Sequence, residues 1–278
     1  MPKSVVADKN FLETPDLEEF LKEHPDNRVV LHDFSAIESF VGSNPLKNLV
    51  RTLSVVSRYP HQVLVLKNQS KLIDMGEINP LFRFDMVDWA QTRGFHTYAD
   101  DLRKAEAGEA ARVALVAEHS QFASAHLQQM LDSMPLMTKL IQQLGIGTPA
   151  SVVKVRRQRD MAIPRDDAMA ILRSIYDIAR IIAGTRKRIP AIPDQPSKAS
   201  RHFVFRFAIA LRMFALWWAE QGGGLDEVNP KKLRNDFVDL MYVTCATYWD
   251  GFFTKEEKMQ KIYDESCYLT DDIFAKIE

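Results

Sequence analysis

The chain has 278 residues, of which 46% are hydrophobic and 26% charged, and its formal net charge is −1. That suits one large α/β domain, or a smaller one carrying a sizeable insertion, with ample apolar material for a core. A near-zero charge excludes a surface that attracts nucleic acid or membrane as a whole, so any polyanion site has to be local.

The opening stretch, "MPKSVVADKNFLETPDLEEF", is charged and has no apolar core, so it does not read as a signal peptide. Asp16 to Glu23 is predicted as a short acidic helix, capped near Thr14 with Pro15 in its first turn. "RVVLHD", Arg28 to Asp33, reads as a strand, and "FSAIESFVG" as a helix that stops at Gly42. Leu46, Leu49, Val50, Leu53 and Val56 recur at helical spacing and predict a second helix from Pro45 to Tyr59. "HQVLVLK", His61 to Lys67, is a buried strand, and strand–helix–strand implies a parallel unit. From Met86 to about Leu144 the pattern is almost wholly helical. Ala150 to Met161 is a short strand or a basic loop, Asp166 to Ala183 is helical, and Gly184 to Ser200, with three prolines, is a loop.

"FVFRFAIALRMFALWWA", Phe203 to Ala219, is the most apolar segment. Arg206 and Arg212 interrupt it, so it reads as a buried helix and not a membrane span. Asn229 and Pro230 fit the cap and first position of a helix reaching about Tyr248, with Leu233, Phe237, Leu240, Met241, Thr244 and Tyr248 on its buried side. "GFFT" reads as a central strand and "CYLT", Cys267 to Thr270, as a candidate for another. Three segments follow: 1–85 and 225–278 as the two halves of an α/β core, and 86–224 as a helical insertion with basic loops. The two cysteines, Cys245 and Cys267, are too few for a disulfide framework or a cysteine zinc site, and a reducing cytoplasm is the expected compartment.

Several carboxylates stand where such a fold builds sites. Asp33 ends the first recognised strand, on the edge where open α/β sheets place ligands. Glu256 lies just past "FFT", and Asp236 and Asp239 sit three apart on the helix before it. If the strands carrying Asp33 and Glu256 are neighbours, these acids meet. Clustered carboxylates repel one another unless a cation joins them, and oxygen ligands suit Mg2+ or Mn2+.

This pattern resembles a PIN-like nuclease domain. "VVLHD" supplies an aspartate after a hydrophobic first strand. "NDFVDLMYVTCA" supplies Asp236 or Asp239 on a late helix, and "FFTKE" supplies Thr254 and Glu256 after a short last strand. The likeness covers about the first seventy and last fifty residues. It implies a three-layer α/β/α sandwich with a mostly parallel sheet, here carrying a large helical insertion. It also implies a metal-dependent nuclease, a ribonuclease in the first instance, with Mg2+ or Mn2+ held by Asp33, Asp236, Asp239 and Glu256 and supported by Thr254. Two departures stand out: the family has aspartate where Glu256 falls, and its second acid has no clean counterpart. Glu38 can serve locally, and Glu77 and Asp88 are other candidates.

Plainer roles compete. Ser35 and Glu38 spell a capping box, Asp250 suits a turn, Asp236 and Asp239 suit a solvated helix flank, and Glu256 suits a surface first turn. His32 points to the strand face opposite Asp33. From Lys154 to Arg201 there are twelve Lys/Arg against five Asp/Glu. Arg156, Arg157 and Arg159, and Arg186, Lys187 and Arg188, form its two dense runs and suit a phosphate backbone, RNA above all, or an acidic protein partner. Arg206 and Arg212 extend that surface or snorkel. A catalytically inactive PIN-like interaction protein and a helical regulatory or scaffold protein, each able to self-associate, are the alternatives to a nuclease.

Overall fold

The computed structural model describes residues 1–78, 80–146, 165–184, 189–221 and 229–274. The protein is of α/β class. Its four-stranded sheet consists of β1 (Ser4–Ala7), β2 (Arg28–Leu31), β3 (Val63–Val65) and β4 (Phe252–Phe253), in the order β3-β2-β1-β4. Every pairing is parallel. Helices make up most of the rest. They are α1 (Lys9–Leu12), α2 (Pro15–Glu23), α3 (Asp33–Ser39), α4 (Pro45–Leu53), α5 (Gln69–Asp74), α6 (Trp89–Glu106) and α7 (Ala110–Ile146), then α8 (Arg165–Gly184), α9 (Pro196–Ala199), α10 (Phe203–Gln221), α11 (Pro230–Ala246) and α12 (Glu257–Cys267).

The chain divides into two compact units. The first comprises 1–72, 80–130 and 245–260, and the second 73–79, 131–244 and 261–278. The helical middle is therefore shared between them.

In the first unit both faces of the sheet are buried, as a parallel sheet requires. Val5, Val29 and Val63 line up across three strands. With Ala7 and Leu31 they form one face, against Leu12, Leu17, Leu21, Leu49, Leu53, Phe95 and Leu102. Each fully buried leucine there contributes roughly 1.5–3 kcal/mol. Val6, Val30, Leu64 and Phe252 form the other face and are also buried. The predicted caps form. Thr14 accepts the Leu17 N–H ahead of Pro15, and Asn229 accepts the Lys231 N–H ahead of Pro230; Asn44 likewise accepts the Lys47 N–H ahead of Pro45.

The interior of α6 holds Gly94, where an added Cβ would meet nothing within 4 Å. Glycine inside a helix costs about 1 kcal/mol relative to alanine. Gly94→Ala should therefore raise the melting temperature by roughly 2–4 °C in calorimetry. A lower melting temperature would show that the position needs glycine for packing.

In the second unit α8 packs on α10. Ile171, Ile175 and Ile178 are buried, and the Tyr176 and Phe205 rings meet edge-on at 4.9 Å. Arg206 and Arg212 are both buried. Arg206 Nε donates to the Ser200 carbonyl at 2.6 Å. They do not extend a basic surface, and they do not snorkel to solvent.

Three local expectations change. β1 was hidden in the charged opening stretch, yet it is central, with β2 on one side and β4 on the other. The helix predicted to reach Tyr59 ends at Leu53 and gives way to 3-10 turns. "CYLT" is not a strand, because α12 passes directly into a π-helical turn at Tyr268–Ile273.

Candidate functional site

Parallel strands deliver their following residues to one edge. Here that edge receives Asp8 after β1, His32 and Asp33 after β2, and Thr254 and Glu256 after β4. β1 is the central strand of this group, and Asp8 was not singled out from the sequence.

Asp8 is 5% exposed. One carboxylate oxygen caps α1 by accepting the Phe11 N–H at 2.7 Å. The other accepts the Thr254 hydroxyl at 2.5 Å. Thr254 Oγ1 in turn accepts the Glu256 N–H at 3.0 Å. The threonine therefore ties the end of β1 to the turn after β4 and brings Glu256 beside Asp8. Burial raises the Asp8 carboxyl above the usual range, and the Glu256 carboxylate adds to this. Thr254 and the backbone donors oppose it. Glu256 is half-exposed, with Lys258 Nζ at 3.9 Å. The result is a buried aspartate and a more open glutamate with excess negative charge between them, which a cation would relieve.

Asp33 differs. It is the first residue of α3, not the last of a strand, and His32 is the cap. Its carboxylate meets His32 Nδ1 at 2.6 Å and accepts the Gln69 N–H at 3.2 Å. Burial alone would push the Asp33 carboxyl up, but His32 and the backbone donors hold it below its usual value. His32 is fully buried. That burial would push its imidazole down, yet Asp33, seconded by Cys245, lifts it to about 10. The contact to Asp33 requires a proton on Nδ1, so that atom donates to the carboxylate and does not accept the Phe34 N–H 3.3 Å away. The expectation that the strands carrying Asp33 and Glu256 are neighbours does not hold. β1 lies between β2 and β4, which separates them by about 10 Å.

The remaining candidates fall in different places. Ser35 and Glu38 lie inside α3, so no capping box starts that helix. Asp88 caps α6 through the Ala90 and Gln91 amides. Asp250 accepts the Ser4 N–H and grips Arg83 through both oxygens at 2.7 and 2.9 Å, as suits a turn residue that locks β4 to β1. In the second unit Glu77 pairs with Arg201 at 3.4 Å. Also there, Asp236 and Asp239 have carboxylate oxygens within 4.8 Å of one another on α11. Asp236 is 3% exposed, so a solvated flank does not describe it. Arg156, Arg157, Arg159, Arg186, Lys187 and Arg188 lie outside the described residues.

The signal for Asp8 was available. "SVVAD" is a short apolar run closed by an acid, three residues before the amide that it caps. No helix among the described residues is long and apolar enough to cross a membrane. No protein-family model, characterised protein or solved structure matches this chain.

Proposed function

We infer that the protein is a metal-dependent phosphodiester hydrolase acting on nucleic acid, RNA above all, built on a PIN-like three-layer core. The observation that carries this reading is buried Asp8 at the end of a central parallel strand, hydrogen-bonded to Thr254, with Glu256 beside it. In the resemblance drawn above, the acid after the first strand becomes Asp8 in place of Asp33, while Thr254 and Glu256 keep their places. The donor set is hard oxygen, which suits Mg2+ or Mn2+. Asp236 and Asp239 remain proposed ligands on the same ground of two close carboxylates.

A cation in such a site supplies an activated water and charge neutralisation at phosphorus. The chain's own parts do the rest. Thr254 holds the Asp8 carboxylate in one orientation, burial keeps bulk water from it, and half-exposed Glu256 faces incoming substrate. The basic segment from Lys154 to Arg201 is the proposed backbone-binding element, and the cytoplasm the proposed compartment.

Two assays test this. Purified protein should cleave single-stranded RNA in Mn2+ and not in EDTA; cleavage that ignores EDTA would remove metal from the account. Mn2+ at a hundredfold excess over its Kd should stabilise the fold by about 2.7 kcal/mol, roughly 5–10 °C in melting temperature. Glu256→Gln should shrink that shift, and an undiminished shift would place the ion elsewhere.

A further inference from the structure

A cavity of about 510 Å³ opens in the first unit beside the carboxyl ends of β2 and β3. Core residues Leu31, Leu53 and Phe95 form part of its wall. Protein interiors leave few voids larger than a water molecule, and a space of this volume is that of a small-molecule site. Its position is where open α/β sheets hold ligands. Aromatic rings line much of it. Phe40 and His119 meet edge-on at 5.4 Å, and Phe95 and Tyr98 are tilted at 6.2 Å.

The charges on the wall are already paired. One oxygen of Asp33 accepts from protonated His32 and the other accepts the Gln69 N–H. Among the described residues no other carboxylate, lysine or arginine lines the cavity. A charge on an occupant would therefore go unbalanced in an apolar space, which is costly. Tyr98 is different. Its hydroxyl has no hydrogen-bond partner among the described residues, and burial alone pushes it well above its ordinary value. Buried tyrosine hydroxyls usually find a partner, so this one is a donor with no acceptor supplied by the fold.

We propose that the cavity binds an uncharged aromatic molecule carrying a carbonyl oxygen, with its rings against the aromatic walls and its carbonyl accepting the Tyr98 hydroxyl. The apolar and aromatic walls supply most of the affinity. One neutral hydrogen bond supplies a preference of about three- to tenfold for a carbonyl bearer. A saturated chain fills the volume but leaves the Tyr98 hydroxyl unpaired. The proposal stands apart from the nucleic-acid reading, because no metal, phosphate or base enters it.

Fluorescence titration in EDTA with prodan, an uncharged naphthyl ketone, tests it. Prodan emission moves to the red when its carbonyl accepts a hydrogen bond. Prodan should bind saturably. Acetylnaphthalene should displace it about threefold or more better than ethylnaphthalene, its counterpart without the carbonyl. Tyr98→Phe removes a hydroxyl that bonds nothing in the fold, so its melting temperature should equal or exceed that of wild type. In that variant bound prodan should emit further to the blue, and the two naphthalenes should compete equally. No saturable binding, equal competition in wild type, a carbonyl preference that survives Tyr98→Phe, or displacement by decanol as effective as by acetylnaphthalene would overturn the proposal. None of these results bears on Mn2+-dependent cleavage, which stands or falls by its own assay.

Discussion

Asp8→Asn should lower Mn2+-dependent cleavage of single-stranded RNA by on the order of 10³-fold or more, while raising the melting temperature in EDTA. The first effect follows from losing a charged ligand at the reacting centre. The second follows from the raised carboxyl of Asp8, caused first by burial and then by Glu256. A carboxyl raised in the fold is a net cost at neutral pH, and the cost disappears as pH falls through the folded value. Asparagine keeps an oxygen for the Phe11 amide and removes the buried charge. The stability gap between variant and wild type should therefore be widest near pH 7 and close on acidification. Gain of stability with loss of activity marks a residue placed for chemistry. Activity within tenfold of wild type, or a lower melting temperature in EDTA, would remove Asp8 from the site.

Asp33→Ala should do the opposite to the fold. It strands a buried, protonated His32, and breaking a buried pair from one side costs about 3–5 kcal/mol. In a chain of this length that is a fall of roughly 6–20 °C. The pair also sets a pH signature. His32 is raised to about 10, so its contribution is complete below its unfolded value near 6.5 and is lost as pH rises toward 10. Asp33 is lowered, so its contribution is present above its unfolded value near 3.9 and is lost as pH falls through the folded one. Wild-type stability should hold steady between about pH 4 and 6.5 and decline on the alkaline side. Circular-dichroism melts from pH 5 to 10 should show that decline in wild type and lack it in Asp33→Ala. The same alkaline slope in both proteins would show that the pair does not control it.

The contrast between these two aspartates shows what sequence could and could not carry. Both follow an apolar run. "RVVLHD" has four strand-forming residues and was legible, whereas "SVVA" is short, sits among charges and owes its strand to neighbours on both sides. Missing β1 moved the leading acid one strand over. Caps were legible because they depend on a few local bonds: Thr14 before Pro15 and Asn229 before Pro230 each accept a nearby amide. Thr254 was legible as a partner of some carboxylate, but which one depends on a strand 246 residues earlier in the chain. Asp236 stands at the boundary of a helical stripe, where periodicity cannot decide between burial and solvent, and it is buried. Long cationic stems commonly reach water, so the sequence places Arg206 and Arg212 at the surface, and tertiary packing overrides that tendency.

In the proposed site Asp8 and Glu256 hold a divalent cation at the end of β1, an interior strand. Anomalous scattering from crystals grown in Mn2+ tests it most directly. A manganese peak is expected about 2–2.5 Å from carboxylate oxygens of Asp8 and Glu256, absent from crystals of Asp8→Asn grown in the same way. Wild-type crystals with manganese only on exposed surface carboxylates, and none beside Asp8, would contradict it.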